Sequence, residues 1–251
     1  MLSASQMDIQ TVTDSNLEPL KLNFEAVRFF SSPHVLLRST MTIQSLELGT
    51  LEQEQYRYVA RRTAQSQKLF RRHLHRILEG FPQLRQEQPK MELVSLPIYS
   101  RMLKKGTLAG SLFDELSSHP RVSPESLCVE VSADILFEDL EPLLGELERV
   151  KDLGVKIAVW EVGDPFCPLL RLRELPYDYL ILDQSNLALL NEDRKGELEA
   201  LCSFLHQREK TRILLPGLPD PALSELAEQV GCDGWSLAPD AVPISDEEGD
   251  A

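Results

Sequence analysis

The sequence predicts an α/β fold, a TIM-type (β/α) barrel. Three observations carry this. Short apolar, β-branched runs alternate with helical stretches through most of the chain, and brief connections between such elements build parallel strands joined by right-handed crossovers. Seven or eight strand runs can be counted. The 251 residues match the roughly 250 that one such barrel needs. Periodicity alone leaves an open doubly wound sheet as the alternative, but no glycine-rich phosphate loop supports a nucleotide-binding version of it.

Residues 1–20 are polar and without period, and read as a flexible arm. The barrel is expected over residues 21–243, with residues 244–251 an acidic, disordered tail. The runs 22–30 and 34–43 read as strands on either side of Ser31-Ser32-Pro33. So short a link points to antiparallel neighbours. The longest helical stretch is 54–81. There Phe70, Leu74, Ile77, Leu78 and Phe81 share one face. Arg57, Arg61, Arg62, Lys68, Arg71, Arg72 and Arg76 make the other face basic. That stripe reads as a solvated outer face partly neutralised by acidic neighbours, or as a partner-docking surface.

A short strand over 91–97 precedes a helical or irregular stretch to 116. The run 127–131 is a strand, and the next helix buries Leu143, Leu147 and Val150 and closes at Gly154. The chain's central stretch follows. Val155, Ile157 and Val159 favour a strand. It stops at Glu161-Val162-Gly163-Asp164-Pro165, so its C-terminal end opens on a loop, where α/β barrels place their chemistry. A short helical segment near 169–175, a strand over 179–182 and a helix over 197–207 come next. The strand beginning at Arg212 is expected to break at Pro216-Gly217. Asp220 caps a final helix with Pro221 at its first position, and 234–237 is the last strand.

Composition excludes several classes. A formal net charge of −14 and a pI near 4.8 repel phosphate backbones, so general nucleic-acid binding is not expected. No run of about 18 apolar residues provides a membrane span, and the N-terminus lacks the basic and apolar regions of a signal peptide. A cytoplasmic location is the resulting expectation. Cys128, Cys167, Cys202 and Cys232 are too far apart in sequence for a metal knuckle or redox pair, and read as reduced thiols. His73 and His75, at i and i+2, do not share a helix face. Together with His206 they read as surface histidines. No nucleophile elbow or triad stands out.

Several segments, in order, resemble the EAL-domain family of bacterial cyclic di-GMP phosphodiesterases. Leu127-Cys128-Val129-Glu130-Val131-Ser132 is similar to L-x-L-E-I-T, and Leu153 through Gly163 to L-G-V-x-x-A-L-D-D-F-G. Leu175 through Asp183 is similar to L-P-x-D-x-L-K-I-D, and His34-Val35-Leu36-Leu37-Arg38 can be laid on E-A-L-L-R. The resemblance implies a TIM-type barrel with one strand reversed, and hydrolysis by two divalent metals held on carboxylates. Laid on this chain, the family's site is largely replaced. The signature Glu falls on His34, an Asn on Ser95, a further Glu on Ala133 and the Asp-Asp pair on Trp160 and Glu161. The supporting Lys falls on Ile181, a Glu on Pro216 and a Gln on Ser236. Glu130 reads as structural. Arg38 matches the Arg that meets a ligand phosphate.

The expectation is therefore a degenerate EAL-like regulatory module, non-catalytic, without metal or other cofactor, acting through a protein partner. Arg61, Arg62, Lys68, Arg71 and Arg72 are the candidate docking residues. One alternative is a sensor that binds cyclic di-GMP without hydrolysis, using Arg38 and Glu161. Another is an enzyme of unrelated acid–base chemistry using His34, Glu161 and Asp164.

Overall fold

A computed structural model of the chain describes residues 21–45, 49–52, 55–56, 65–207 and 210–238. The strands are β1 (Lys21–Phe29), β2 (Ser32–Ser45), β3 (Gly49–Leu51), β4 (Met91–Pro97), β5 (Leu127–Ser132), β6 (Lys156–Val162), β7 (Tyr179–Leu182), β8 (Arg212–Leu218) and β9 (Gly234–Leu237). The helices are α1 (Gln65–Glu87), α2 (Ser100–Lys105), α3 (Leu108–Ser118), α4 (Glu141–Asp152), α5 (Lys195–Leu205) and α6 (Ser224–Gln229). The expected arm and tail, and Arg61 and Arg62, lie outside the described residues.

The sheet runs β1-β9-β8-β7-β6-β5-β4-β2-β3, and β1 also pairs with β2. Eight strands thus close on themselves, while β3 adds to the outer part of β2. β1 is antiparallel to both β2 and β9, and every other barrel pairing is parallel. The α/β barrel with one reversed strand is the observed fold. The reversal follows from the tight turn after Phe29, which has room for a hairpin but not for a helical crossover.

Side chains alternate across each strand. Leu37, Val129 and Val159 face the helices and join the larger core with Leu74, Ile77 and Leu147. Leu36, Cys128, Ala158, Tyr179 and Leu214 face inward and fill the barrel. Burying each such Leu or Ile stabilises the fold by about 1.5–3 kcal/mol. Tyr179 and Phe29 meet in this inner layer with ring centroids 6.3 Å apart, and the Arg212 guanidinium lies 4.9 Å above the Phe29 ring. Among the described residues, the N-terminal part of the barrel is therefore plugged and the opposite end is open.

Two sequence expectations fail for identifiable reasons. Pro216-Gly217 does not end β8, which continues to Leu218. The β8–β9 register slips between Leu215 and Leu218, and Gly217 takes φ 79°, so a bulge absorbs both residues. His73 is not on the surface: it is 3% exposed, with its Nε2 3.0 Å from the Ser39 hydroxyl behind β2. Burial first, against a weaker opposing pull from Glu130, lowers its pKa to about 4, so it is neutral near pH 7. The four cysteines are free, and Cys128, Cys202 and Cys232 are buried. Among the described residues, no helix is long and apolar enough to cross a membrane.

Candidate functional site at the barrel mouth

At the C-terminal ends of the parallel strands lies a cavity of about 270 Å³, lined in part by Glu25, Arg38, Glu130, Trp160, Glu161, Ile181, Asp183 and Pro216. Inward alternation puts these residues here. Arg38 is the next inward position after Leu36, and Glu130 the next after Cys128. Parallel β2–β4 pairing sets Arg38 level with Ser95, and β4–β5 pairing sets Glu130 beside Pro97.

A charged network occupies this layer. Arg38 donates from Nε to Glu130 Oε1 at 2.9 Å and from Nη2 to Glu130 Oε2 at 3.0 Å. Its Nη1 donates to Glu25 Oε2 at 3.1 Å. The Ser95 hydroxyl donates to Glu130 Oε1 at 2.5 Å. On the neighbouring strand β9, the Ser236 hydroxyl donates to Glu25 Oε1 and accepts the Gly217 N–H at 3.2 Å. The Arg38 and Glu130 side chains are 16% and 5% exposed, so the pair is shielded from water. Burial opposes the charge on each, but the partners outweigh it. Glu130 and Glu25 hold the Arg38 guanidinium above its ordinary range, and Arg38 and Ser95 hold the Glu130 carboxyl below the usual carboxylate range. One cation against two carboxylates leaves the cluster one charge negative.

Glu161 sits on a second bulge, where the β6–β7 register slips between Val159 and Val162. It has φ 64°, a left-handed conformation unusual for a residue with a side chain. Its Oε2 accepts the Ser132 hydroxyl at 2.7 Å. Trp160, just before it, packs on the inner barrel layer. Bulges of this kind aim side chains at barrel rims.

The structure brings Arg38, Ser95, Trp160, Glu161, Ile181, Pro216 and Ser236 to this end of the barrel. It does not bring His34, which is exposed near the start of β2, beside the residue that pairs with the first residue of β4. His34 and Glu161 are therefore at opposite ends of the barrel. That overturns the expectation that they act together in acid–base chemistry, since proton transfer needs hydrogen-bond reach. The inward position of β2 at the level of the site is Arg38. Ala133 begins the turn after β5 and opens on a smaller adjoining pocket with Asp134, Phe137 and Asp164. Lys68 is exposed on α1, while Arg71 is paired with Asp114 at 3.2 Å and Glu115 at 3.3 Å. Arg72 is half-buried on the same helix. Sequence reasoning passed over Glu25 and read Glu130 as structural. The signal available was their inward parity, two residues before Val27 and two after Cys128.

A closed (β/α) barrel with a reversed first strand and a polar mouth defines the class: a barrel built to present one cleft at its strand ends. The chain belongs to the EAL domain family, whose profile matches residues 16–235. It is similar to an uncharacterized signaling protein of Caulobacter vibrioides, 38% identical over 64 residues, which cover 26% of this chain and 8% of that protein. This chain thus spans less than a tenth of that relative's length. Among solved structures it is similar to the PaMucR phosphodiesterase in complex with c-di-GMP, with a TM-score of 0.78, 18% identity, and coverage of 94% of this chain and 95% of that one. It is also similar to the FimX EAL domain of Pseudomonas aeruginosa bound to c-di-GMP, with a TM-score of 0.79, 17% identity and 94% coverage of each chain. At such identities the likeness concerns the fold.

Proposed function

We propose that this chain is a non-hydrolytic EAL-domain signalling module that acts by docking a protein partner at the barrel mouth. The observation that carries the reading is the Arg38–Glu130 pair. Two-metal hydrolysis needs converging hard oxygen donors free to bind cations. Here both oxygens of Glu130 are engaged by one guanidinium, and Glu25 is engaged by Arg38 and Ser236. Ser95, Ile181, Pro216 and Ser236, around the same cleft, offer no carboxylate. Glu161 and Asp183 also line the cleft, but Glu161 Oε2 accepts the Ser132 hydroxyl and Asp183 Oδ1 accepts the Ser185 N–H. This arrangement fits a pair of divalent metals poorly, because a cation entering beside Glu130 would have to displace Arg38 against direct charge repulsion.

The docking surface is the rim. Phe166 is 81% exposed, Leu170 72% and Phe137 64%, all on segments that follow β5 and β6 on the mouth side. Asp134 and Asp164 lie among them. Large apolar side chains left in water beside acidic groups suit a partner with apolar side chains flanked by basic ones. The basic face of α1 is the weaker candidate, because Asp114 and Glu115 already neutralise Arg71.

The decisive experiment has two arms. Incubation with cyclic di-GMP and magnesium or manganese is expected to give no linear dinucleotide, and turnover abolished by Glu130→Gln would overturn the reading. Affinity capture is expected to retain a partner that Phe166→Ser with Leu170→Ser loses; undiminished capture counts against the rim.

Non-hydrolytic binding of cyclic di-GMP is the second reading, favoured by the open cavity beside Arg38 and Trp160. The negative cluster charge and the engagement of Arg38 by carboxylates weigh against phosphate binding there. Calorimetry with the dinucleotide decides it: heat that saturates at micromolar concentration and is lost in Arg38→Met would establish the sensor.

A further inference from the structure

On the flank of the barrel, away from the mouth, α1 packs against α3, and their facing edges carry His75, Glu115 and His119. One ligand atom from each lies within 4.8 Å of the other two, the one such cluster of three among the described residues. We propose that these residues form a surface site for one divalent transition-metal ion of the zinc class.

The hydrogen bonds around the cluster already prepare it. His119 Nδ1 is 2.9 Å from the Glu115 carbonyl oxygen. A carbonyl only accepts, so Nδ1 carries the proton and Nε2 keeps the lone pair a metal needs. His75 Nε2 is 3.3 Å from Glu79 Oε1, and its Nδ1 is 3.1 Å from Glu115 Oε2. An imidazole that donates one N–H to a carboxylate and turns its other nitrogen to a metal is the usual orienting arrangement. Glu79 is thus the positioning residue, and His75 Nδ1 the ligand. Arg71 Nε holds Glu115 Oε1 at 3.3 Å, which leaves Oε2 directed at the cluster.

The donor set selects the ion. Two imidazoles and one carboxylate suit zinc and its neighbours, whereas magnesium and calcium prefer oxygen donors alone. A tetrahedral ion with bonds of about 2.0–2.1 Å holds its ligand atoms about 3.4 Å apart. The His75 and Glu115 atoms are already at 3.1 Å and the His119 ligand atom lies within 4.8 Å of both, so a small approach of the two helices' side chains closes the set. Binding a metal here uses the lone pair of His75 Nδ1 and involves no redox step. The fourth position faces solvent, because His75 is exposed, and takes water. The ion would clip α1 to α3 independently of what happens at the mouth.

The test uses the full chain, freed of metal, titrated with zinc chloride by calorimetry and with cobalt(II) by visible absorption. One equivalent of zinc is expected to bind with micromolar or tighter affinity. Cobalt should give the intense bands of tetrahedral coordination, and magnesium should give no response. His75→Ala and His119→Ala are each expected to weaken zinc by at least about tenfold, and saturating zinc should raise the unfolding temperature of the wild type but not of the double variant. Glu115→Gln, which keeps its shape, gives the same reading if an alanine variant does not fold. Zinc binding no tighter than millimolar, or stoichiometric binding unchanged in the double variant, would overturn the proposal.

Discussion

Arg38→Met is the substitution that most directly probes the barrel mouth. Methionine keeps much of the unbranched stem and removes the guanidinium. It leaves Glu130 with a side chain only 5% exposed and Ser95 as its remaining partner here. Removing one partner of a buried pair costs about 3–5 kcal/mol, because the surviving charge stays desolvated. In a chain of this size each kcal/mol lowers the unfolding temperature by about 2–4 °C, so a drop of at least about 6 °C is expected. Removing both charges in Arg38→Met with Glu130→Leu should recover most of that loss, since an apolar pair of similar volume replaces a costly ionic one. Urea unfolding of the wild type, both single variants and the double variant at pH 7 measures the coupling directly. A single-variant loss under about 1 kcal/mol, or a double variant whose loss is the sum of the singles, would refute the view that the pair is one buried, mutually dependent unit.

Three further outcomes follow from local geometry. The buried His73, with its pKa lowered to about 4 against 6.5 for the ordinary group, stays neutral while the unfolded chain takes up a proton. Stability is therefore full above about pH 6.5 and falls as the pH drops toward 4, by about 2 kcal/mol at pH 5. His73→Gln should flatten that slope in urea melts between pH 6.5 and 5, a window above the range in which Glu130 titrates, and an unchanged slope would count against it. Because Glu161 has φ 64°, Glu161→Gly should be more stable than Glu161→Ala by about 1 kcal/mol in thermal melts, the reverse of the usual order. Gly163 has φ 82°, and an added Cβ would lie 2.9 Å from Leu201 Cδ2. Gly163→Ala is accordingly expected to lose about 1–2 kcal/mol, and a neutral result would mean that the turn after β6 relaxes freely.

The barrel was legible in the chain because its information is local. Ile157 and Val159 are β-branched and favour a strand, Gly154 ends the helix before them, and the brevity of the turn after Phe29 forces the reversal of β1. The site was less legible because inward parity repeats every two residues. His34 and Arg38 share one face of β2, so a motif slid by four positions keeps every side chain on the same side. Only the pairing of Arg38 with Ser95 fixes which of them reaches the mouth. His73 and His75 differ in the same way: their spacing puts them on different faces of α1, but not which face meets Ser39 and which meets Glu115.

Fold class and strand alternation were thus written in the order of residues. What joined Arg38 to Glu130 across 92 positions, and His75 to Glu115 across 40, was the closure of the sheet and the packing of α1 on α3. Side-chain chemistry and short-range periodicity are properties of a segment. The height of a residue in the barrel and the charge that faces it depend on register with strands far away in sequence, and that register exists only once the barrel has closed.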